Sequence, residues 1–288
     1  MIRGEAEVSA TDIRPMSLGE VLDRTFSLYK NNFLLLAGIM AVPMLLKLAV
    51  TIGAEWFTRS AIATAGANPA VRPQYLTTFY LTALGAGLID FVLRSASQGG
   101  TIVAVSEIYL GRKPTVAESY RPVRRKLLRL ILLIFVTALV CVLGFIFLII
   151  PGIIILCKTA VVTPVMMLED EGVGGSLSRS WELTKGFGFQ ILLIFLLVFV
   201  IQWVVGMILL APVTIAVAVM KLKVIPLGLA VLQHIGQFLT EVLIGPLGTI
   251  AFSLMYYNLR VRKEAFDLQH LMTSLEGPAG PSDAPSLA

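Results

Sequence analysis

The chain has 288 residues, of which 57% are hydrophobic and only 14% charged, with a net charge of +5 and a mean hydropathy of +0.85. A soluble domain carries roughly 25% charged residues because its surface must face water, so a water-soluble globule is excluded. The apolar residues come in blocks as long as a bilayer crossing, about 20 residues. The expected fold class is therefore all-α: a polytopic transmembrane helix bundle of about six spans.

Residues 1–16 read as a flexible N-terminal segment, too charged and too poor in apolar run to be a signal peptide. The stretch SLGEVLDRTFSLYKNNF (17–33) follows. Ser17 and Glu20 have capping-box spacing, and Leu18, Leu22, Phe26, Tyr29 and Phe33 fall near one helical face. Such a helix lies in the headgroup layer and feeds the first span, 33–53. The second span, 76–110, is long for one crossing. It carries Asp90 and Arg94 four residues apart, the spacing of an intrahelical ion pair, with Glu107 near its end.

A second amphipathic segment, TVAESYRPVRRKLLRL (115–130), repeats the capping spacing at Thr115 and Glu118 and enters the third span, 128–149. The uncharged run LIIPGIII joins it to a short fourth span, 152–168. Pro151 lacks a donor and Gly152 tolerates positive φ, which predicts a tight hairpin near one membrane face. The third amphipathic segment, SLSRSWELTKGFGFQI (176–191), aligns with the second at Gly111/Gly172, Ser119/Ser180 and Tyr120/Trp181. Spans at 189–211 and 226–258 complete the set, the last again long. An interfacial helix, an outward span and an inward span thus read three times over, although any juxtamembrane helix shares part of this pattern. Residues 17–263 form the transmembrane domain, and 264–288 continue briefly as helix before a disordered Gly/Pro/Ala/Ser tail.

Lysine and arginine placement sets the orientation. One side receives Arg3, Arg14, Arg24 and Lys30, then Arg112, Lys113, Arg121, Arg124, Arg125, Lys126 and Arg129, then Arg179 and Lys185, and finally Arg260, Arg262 and Lys263. The other receives Arg59, Arg72, Lys221 and Lys223, with Lys47 near the end of a span. Both termini and the basic loops are expected in the cytoplasm, in agreement with an even number of spans. The basic residues flank membrane segments, so orientation explains them and no nucleic-acid partner is implied.

Ionisable groups inside spans cost a few kcal/mol each on insertion scales and are functional candidates by default. Lys158 sits midway in the fourth span without a carboxylate at helical spacing, and Glu241 is its expected partner. In the sixth span Gln233, Gln237 and Glu241 recur every four residues beside His234, and Gly248, Thr249 and Ser253 continue that side. This candidate polar seam reads as a pathway or small binding cavity, or as an interhelical hydrogen-bond seam, the commoner outcome. Arg121, Arg124, Arg125, Lys126 and Arg129 beside the bilayer are candidate contacts for anionic lipid, worth about 1 kcal/mol each. Cys141 and Cys157 have no metal or disulfide spacing, and the chain has no HExxH, Walker loop or GxSxG. No catalytic residue, metal or cofactor is expected.

The stretches RPMSLGEVLDRTFSLYKNNF, IPGIII, TPVMMLEDEGVGGSLSRSWELTKG and MYYNLRVRKEAFDL resemble those of the bacterial membrane-domain family named for the membrane region of glycerophosphoryl diester phosphodiesterases. They are loose patterns spread over nearly the whole chain. Relatives tend to carry a basic residue at the place of Lys158. In members that are phosphodiesterases a separate (β/α) barrel performs catalysis, and the roughly 250 residues it takes are not encoded here. The resemblance therefore implies the fold and a location in the bacterial inner membrane, and not the activity. The leading expectation is a non-enzymatic integral membrane protein that organises or partners membrane components and touches anionic lipid. The alternatives are a small transporter or lipid-handling protein using the polar seam and, weakly, a membrane-bound phosphodiesterase.

Overall fold

The computed structural model describes residues 15–65, 72–221 and 225–275. Among these there is no strand, and nine helices follow in order: α1 Leu18–Asn31, α2 Phe33–Ala65, α3 Arg72–Tyr109, α4 Val116–Phe147, α5 Ile149–Lys158, α6 Val162–Glu169, α7 Val173–Thr184, α8 Gly188–Val219 and α9 Leu227–Leu275. Six segments are long and apolar enough to cross a bilayer: Phe33–Ala61, Leu76–Tyr109, Val116–Phe147, Ile149–Glu169, Gly188–Val219 and Leu227–Glu264. The fold is the all-α polytopic bundle. The tail from 276 and the first 14 residues lie outside the described residues.

Both expected capping boxes form. The Ser17 hydroxyl accepts from the Glu20 amide while the Glu20 carboxylate accepts from the Ser17 amide, and Thr115 and Glu118 do the same for α4. Each box satisfies two of the donors a helix start leaves free. The second amphipathic segment, however, is not a separate helix, because α4 runs unbroken from it into the span. The third starts at Val173, so Ser176 is buried inside α7 and Gly172 is the cap. Of the residues aligned between the two segments, Ser119 and Ser180 are both fully buried, whereas Gly111 is left-handed (φ 77°) and Gly172 extended (φ −72°).

The link between the third and fourth spans turns at Leu148, three residues before the expected Pro151. Leu148 alone is extended (φ −167°, ψ 153°), and α5 begins at Ile149. Pro151 falls in the first turn of α5, where a missing amide leaves no helical bond unmade. Gly152 has no positive φ; its value is space. A Cβ there would run into the Phe145 ring, and one on Gly144 would come 3.2 Å from Gly152 Cα. Two glycines thus let α4 and α5 pack backbone to backbone.

The fourth span is itself broken at Thr159–Val161, between α5 and α6. A free carbonyl inside a bilayer costs several kcal/mol unless protein satisfies it. The Thr159 amide returns to Ile155 O at 2.9 Å, and α7 supplies hydroxyls from Ser180 (2.7 Å) and Thr184 (3.5 Å) to Lys158 O. The same logic operates in α2. Pro43 removes the donor that Ile39 O would receive in an unbroken helix, and the Tyr120 hydroxyl of α4 donates to that carbonyl. Tyr120 reaches it because Gly100 of α3 leaves room: a Cβ there would lie 3.2 Å from the Tyr120 ring.

Packing is uneven along the bundle. At the basic end, Val162–Met167 of α6 are all buried among α3, α4, α7 and α9. In contrast, the most apolar part of the α3 span has no buried residue, while 56% of that part of the last span is buried. Met16 ties the two ends of the chain together. Its amide donates to Asn258 Oδ1 (2.8 Å), and its carbonyl accepts from Asn258 Nδ2 (3.0 Å) and Arg262 Nη2 (2.7 Å). The start of α1 and the end of the membrane part of α9 therefore share one end of the bundle, and Met16 belongs to the folded unit.

Candidate functional site

The first span extends well past residue 53, because VTIGAEWFTRSAIATA contains no proline and tolerates its single Gly53, and α2 reaches Ala65. Lys47 is consequently close to mid-span and not near an end. There it meets two carboxylates: Asp90 of α3 at 3.1 Å and Glu241 of α9 at 2.6 Å. Arg94 of α3 donates through Nε to both oxygens of Asp90 (2.8 and 3.0 Å) and through Nη2 to Glu241 Oε1. Two cations and two anions thus form one closed network joining three helices, with formal charges that cancel. Pairing of this kind is how a membrane interior holds ionised side chains.

The Asp90–Arg94 pair is present as expected, but Lys158 is not the partner of Glu241; Lys47 and Arg94 are. Lys158 ends α5, and no ion pair to its ammonium exists among the described residues. Its backbone carbonyl, held by Ser180 and Thr184, is what the fold uses.

The seam on α9 is only partly a unit. His234, Gln237 and Glu241 line a small cavity with Met44, Lys47, Leu48, Thr51 and Phe238, whereas Gln233 does not. About 10 Å³ of it is open to the centre of a water molecule, which is room for one water. Both ring nitrogens of His234 and Glu241 Oε2 are buried there without a hydrogen-bond partner. Thr249 is used further along, where its carbonyl accepts from the Ser253 hydroxyl at 2.7 Å.

Of the basic residues on α4, Arg121, Arg124, Arg125 and Arg129 are exposed. Arg121, Arg124 and Arg125 border one open hollow. Lys126 is drawn inward instead, onto Asp170 (2.8 Å) and Met167 O (3.3 Å). That hydrogen bond and the Lys126 charge hold the Asp170 carboxyl below its usual range.

A second network, absent from the sequence expectations, closes the basic end. Buried Tyr256 donates to Glu169 Oε1 (2.8 Å) and accepts from Arg260 (3.2 Å), while Arg179 bridges Glu169 (3.2 Å), Glu182 (3.3 Å) and Glu264 (3.0 Å). It clamps α6 and α7 onto α9. Among the described residues no group of three or more His, Cys, Asp or Glu is placed to hold a metal ion, and Cys141 and Cys157 are free.

Fold and site together define a class: a multi-pass integral membrane protein with an ion cluster at mid-span. Compared with protein-family models, curated proteins and solved structures, the chain matches none.

Proposed function

We propose that this is a non-enzymatic membrane-organising protein that receives another transmembrane helix on its α2–α3 face. One observation carries the reading: the Arg94 side chain is 49% exposed inside a span, and the adjoining Leu88 and Ile89 are bare. Intramembrane ionisable groups face protein or a watery cavity, so a lipid-facing guanidinium asks for a cover. Arg94 uses Nε and Nη2 on Asp90 and Glu241, and the donors of Nη1 remain for an acceptor. The fitting partner is a helix with a carboxylate or amide at mid-membrane. A second copy related by a two-fold axis on this face would bring Arg94 toward Arg94, which repels.

In this reading the protein is a stand-alone member of the phosphodiesterase-named membrane-domain family, set in the bacterial inner membrane with its basic end and both termini in the cytoplasm. The motif resemblance, the Lys/Arg asymmetry and the Met16–Asn258 tether support that assignment. Exposed Arg121, Arg124, Arg125 and Arg129 beside bare Leu128 support contact with anionic headgroups.

The test is a photo-crosslinking residue at Leu88 in native membranes. The expected product is one polypeptide, attached through a transmembrane segment containing Asp, Glu, Asn or Gln. It is lost in Arg94→Gln and not formed from a probe at Phe199 on α8. Adducts with lipid only, with a second copy only, or unchanged in Arg94→Gln overturn the proposal. The transporter reading draws on the unpartnered His234 ring nitrogens and Glu241 Oε2, but a one-water cavity admits no solute. Unchanged uptake and efflux in Glu241→Gln across a metabolite panel counts against it.

A further inference from the structure

We propose that the cavity between α2 and α9 is a proton-binding site, in which His234 takes up a proton and thereby resets the charge balance of the Lys47–Asp90–Arg94–Glu241 cluster. It is independent of the docking proposal, which concerns the opposite, exposed side of that cluster.

His234 and Glu241 are seven residues apart on α9, two turns along one face, with Gln237 between them and all three lining the cavity. Buried polar atoms are nearly always hydrogen-bonded. Here three unpartnered atoms, the two imidazole nitrogens and Glu241 Oε2, lie around one water-sized space. Histidine is also the side chain whose ordinary titration falls between pH 5 and 8.

In the step, a hydronium ion reaching the cavity gives its proton to the free ring lone pair: one O–H bond breaks, one N–H bond forms, and a water molecule and an imidazolium are left. The charged groups facing it are Lys47 from α2, Asp90 and Arg94 from α3, and Glu241 from α9 itself; α8 contributes no titratable side chain. Because the four cluster charges cancel, an imidazolium leaves this part of the membrane interior with one net positive charge. Glu241 Oε2 is the acceptor open to it, while Oε1 already serves Lys47 and Arg94. Proton uptake thus gives Glu241 a third cationic neighbour beside Lys47 and Arg94.

The chain has only two histidines, so His270→Ala leaves His234 alone. The full-length protein with ¹⁵N-labelled histidine in lipid nanodiscs is titrated from about pH 5 to about pH 8 and the ring nitrogen shifts are followed. A single pH-dependent transition is expected. Glu241→Gln should lower its midpoint and Lys47→Met should raise it, each by about one pH unit, a tenfold change in proton affinity. A ring that keeps one protonation state over the whole range overturns the proposal, as does a midpoint that ignores both substitutions. If Glu241→Gln does not fold, Lys47→Met decides alone.

Discussion

The Tyr120–Ile39 contact gives the most stringent test, because two unrelated residues should compensate for each other. Tyr120→Phe removes the hydroxyl that donates to a carbonyl whose usual helical amide is replaced by Pro43. Ile39 is completely buried, so its oxygen cannot turn to water. Leaving a buried acceptor unsatisfied costs about 1–3 kcal/mol. Pro43→Ala, by contrast, restores the amide that α2 lacks at this place. In that background Ile39 O has an intrahelical partner, and Tyr120→Phe should cost only a few tenths of a kcal/mol, the loss of one redundant bond. The coupling between the two substitutions should thus be about 1 kcal/mol or more. The assay is reversible unfolding in mixed micelles, followed by circular dichroism, for the four proteins of the cycle. Costs that add to within about 0.3 kcal/mol, the usual limit for independent sites, would show that Tyr120 and Pro43 do not share a carbonyl and would refute the reasoning.

A second cycle addresses the ion cluster: Lys47→Met strands Asp90 and Glu241 with a single cation, and breaking such a buried pair costs about 3–5 kcal/mol. Adding Glu241→Gln should recover part of this loss, and additive unfolding energies would contradict the network. Gly152→Ala pushes a methyl into Phe145 and should destabilise by about 1–3 kcal/mol, with Phe145→Ala in the same chain relieving it; equal cost in both backgrounds would deny the close α4–α5 approach. The Asp170 carboxyl, lowered by its hydrogen bond to Lys126 and then by that charge, contributes stability above its unfolded value of about 3.9. That contribution is lost as pH falls through the lower folded value. A carboxyl NMR titration should therefore show Asp170 moving up toward the ordinary range in Lys126→Met, and no movement would remove Lys126 as the cause. Finally, Arg125→Cys should react with a membrane-impermeant thiol reagent only from the cytoplasmic side, and labelling from the other side would invert the topology.

Much of the fold could be read because its signals are local. Capping spacing at Ser17/Glu20 and Thr115/Glu118 depends on four residues, and apolar run length needs no partner at all. The Asp90–Arg94 pair was visible for the same reason. Partners on different helices were not. Lys158 and Glu241 stand out in the sequence as two intramembrane ions of opposite sign, whereas a first span ended at 53 puts Lys47 near its edge. The unbroken helical pattern to Ala65 was the signal that would have moved it inward. The role of Gly152 is likewise hidden in the sequence, since space against Phe145 depends on a neighbouring helix and φ tolerance only on the residue itself. Tyr120 carries no sign of its acceptor in α2, although a proline in the interior of a spanning helix implies a carbonyl that has lost its amide.

The break at Thr159–Val161 has a consequence for the order in which the protein is built. The carbonyl of Lys158 is satisfied from Ser180 and Thr184, which leave the ribosome some twenty residues later. Until they do, α5, at about 15 Å, reaches only half of a hydrocarbon core of about 30 Å and ends on an unanswered backbone oxygen. The fourth segment therefore has no stable place in lipid as it emerges. It must be sheltered, by the insertion machinery or by α4 packed through Gly144, until α7 folds back upon it. The two halves of the fourth span and α7 are thus satisfied together, as one unit.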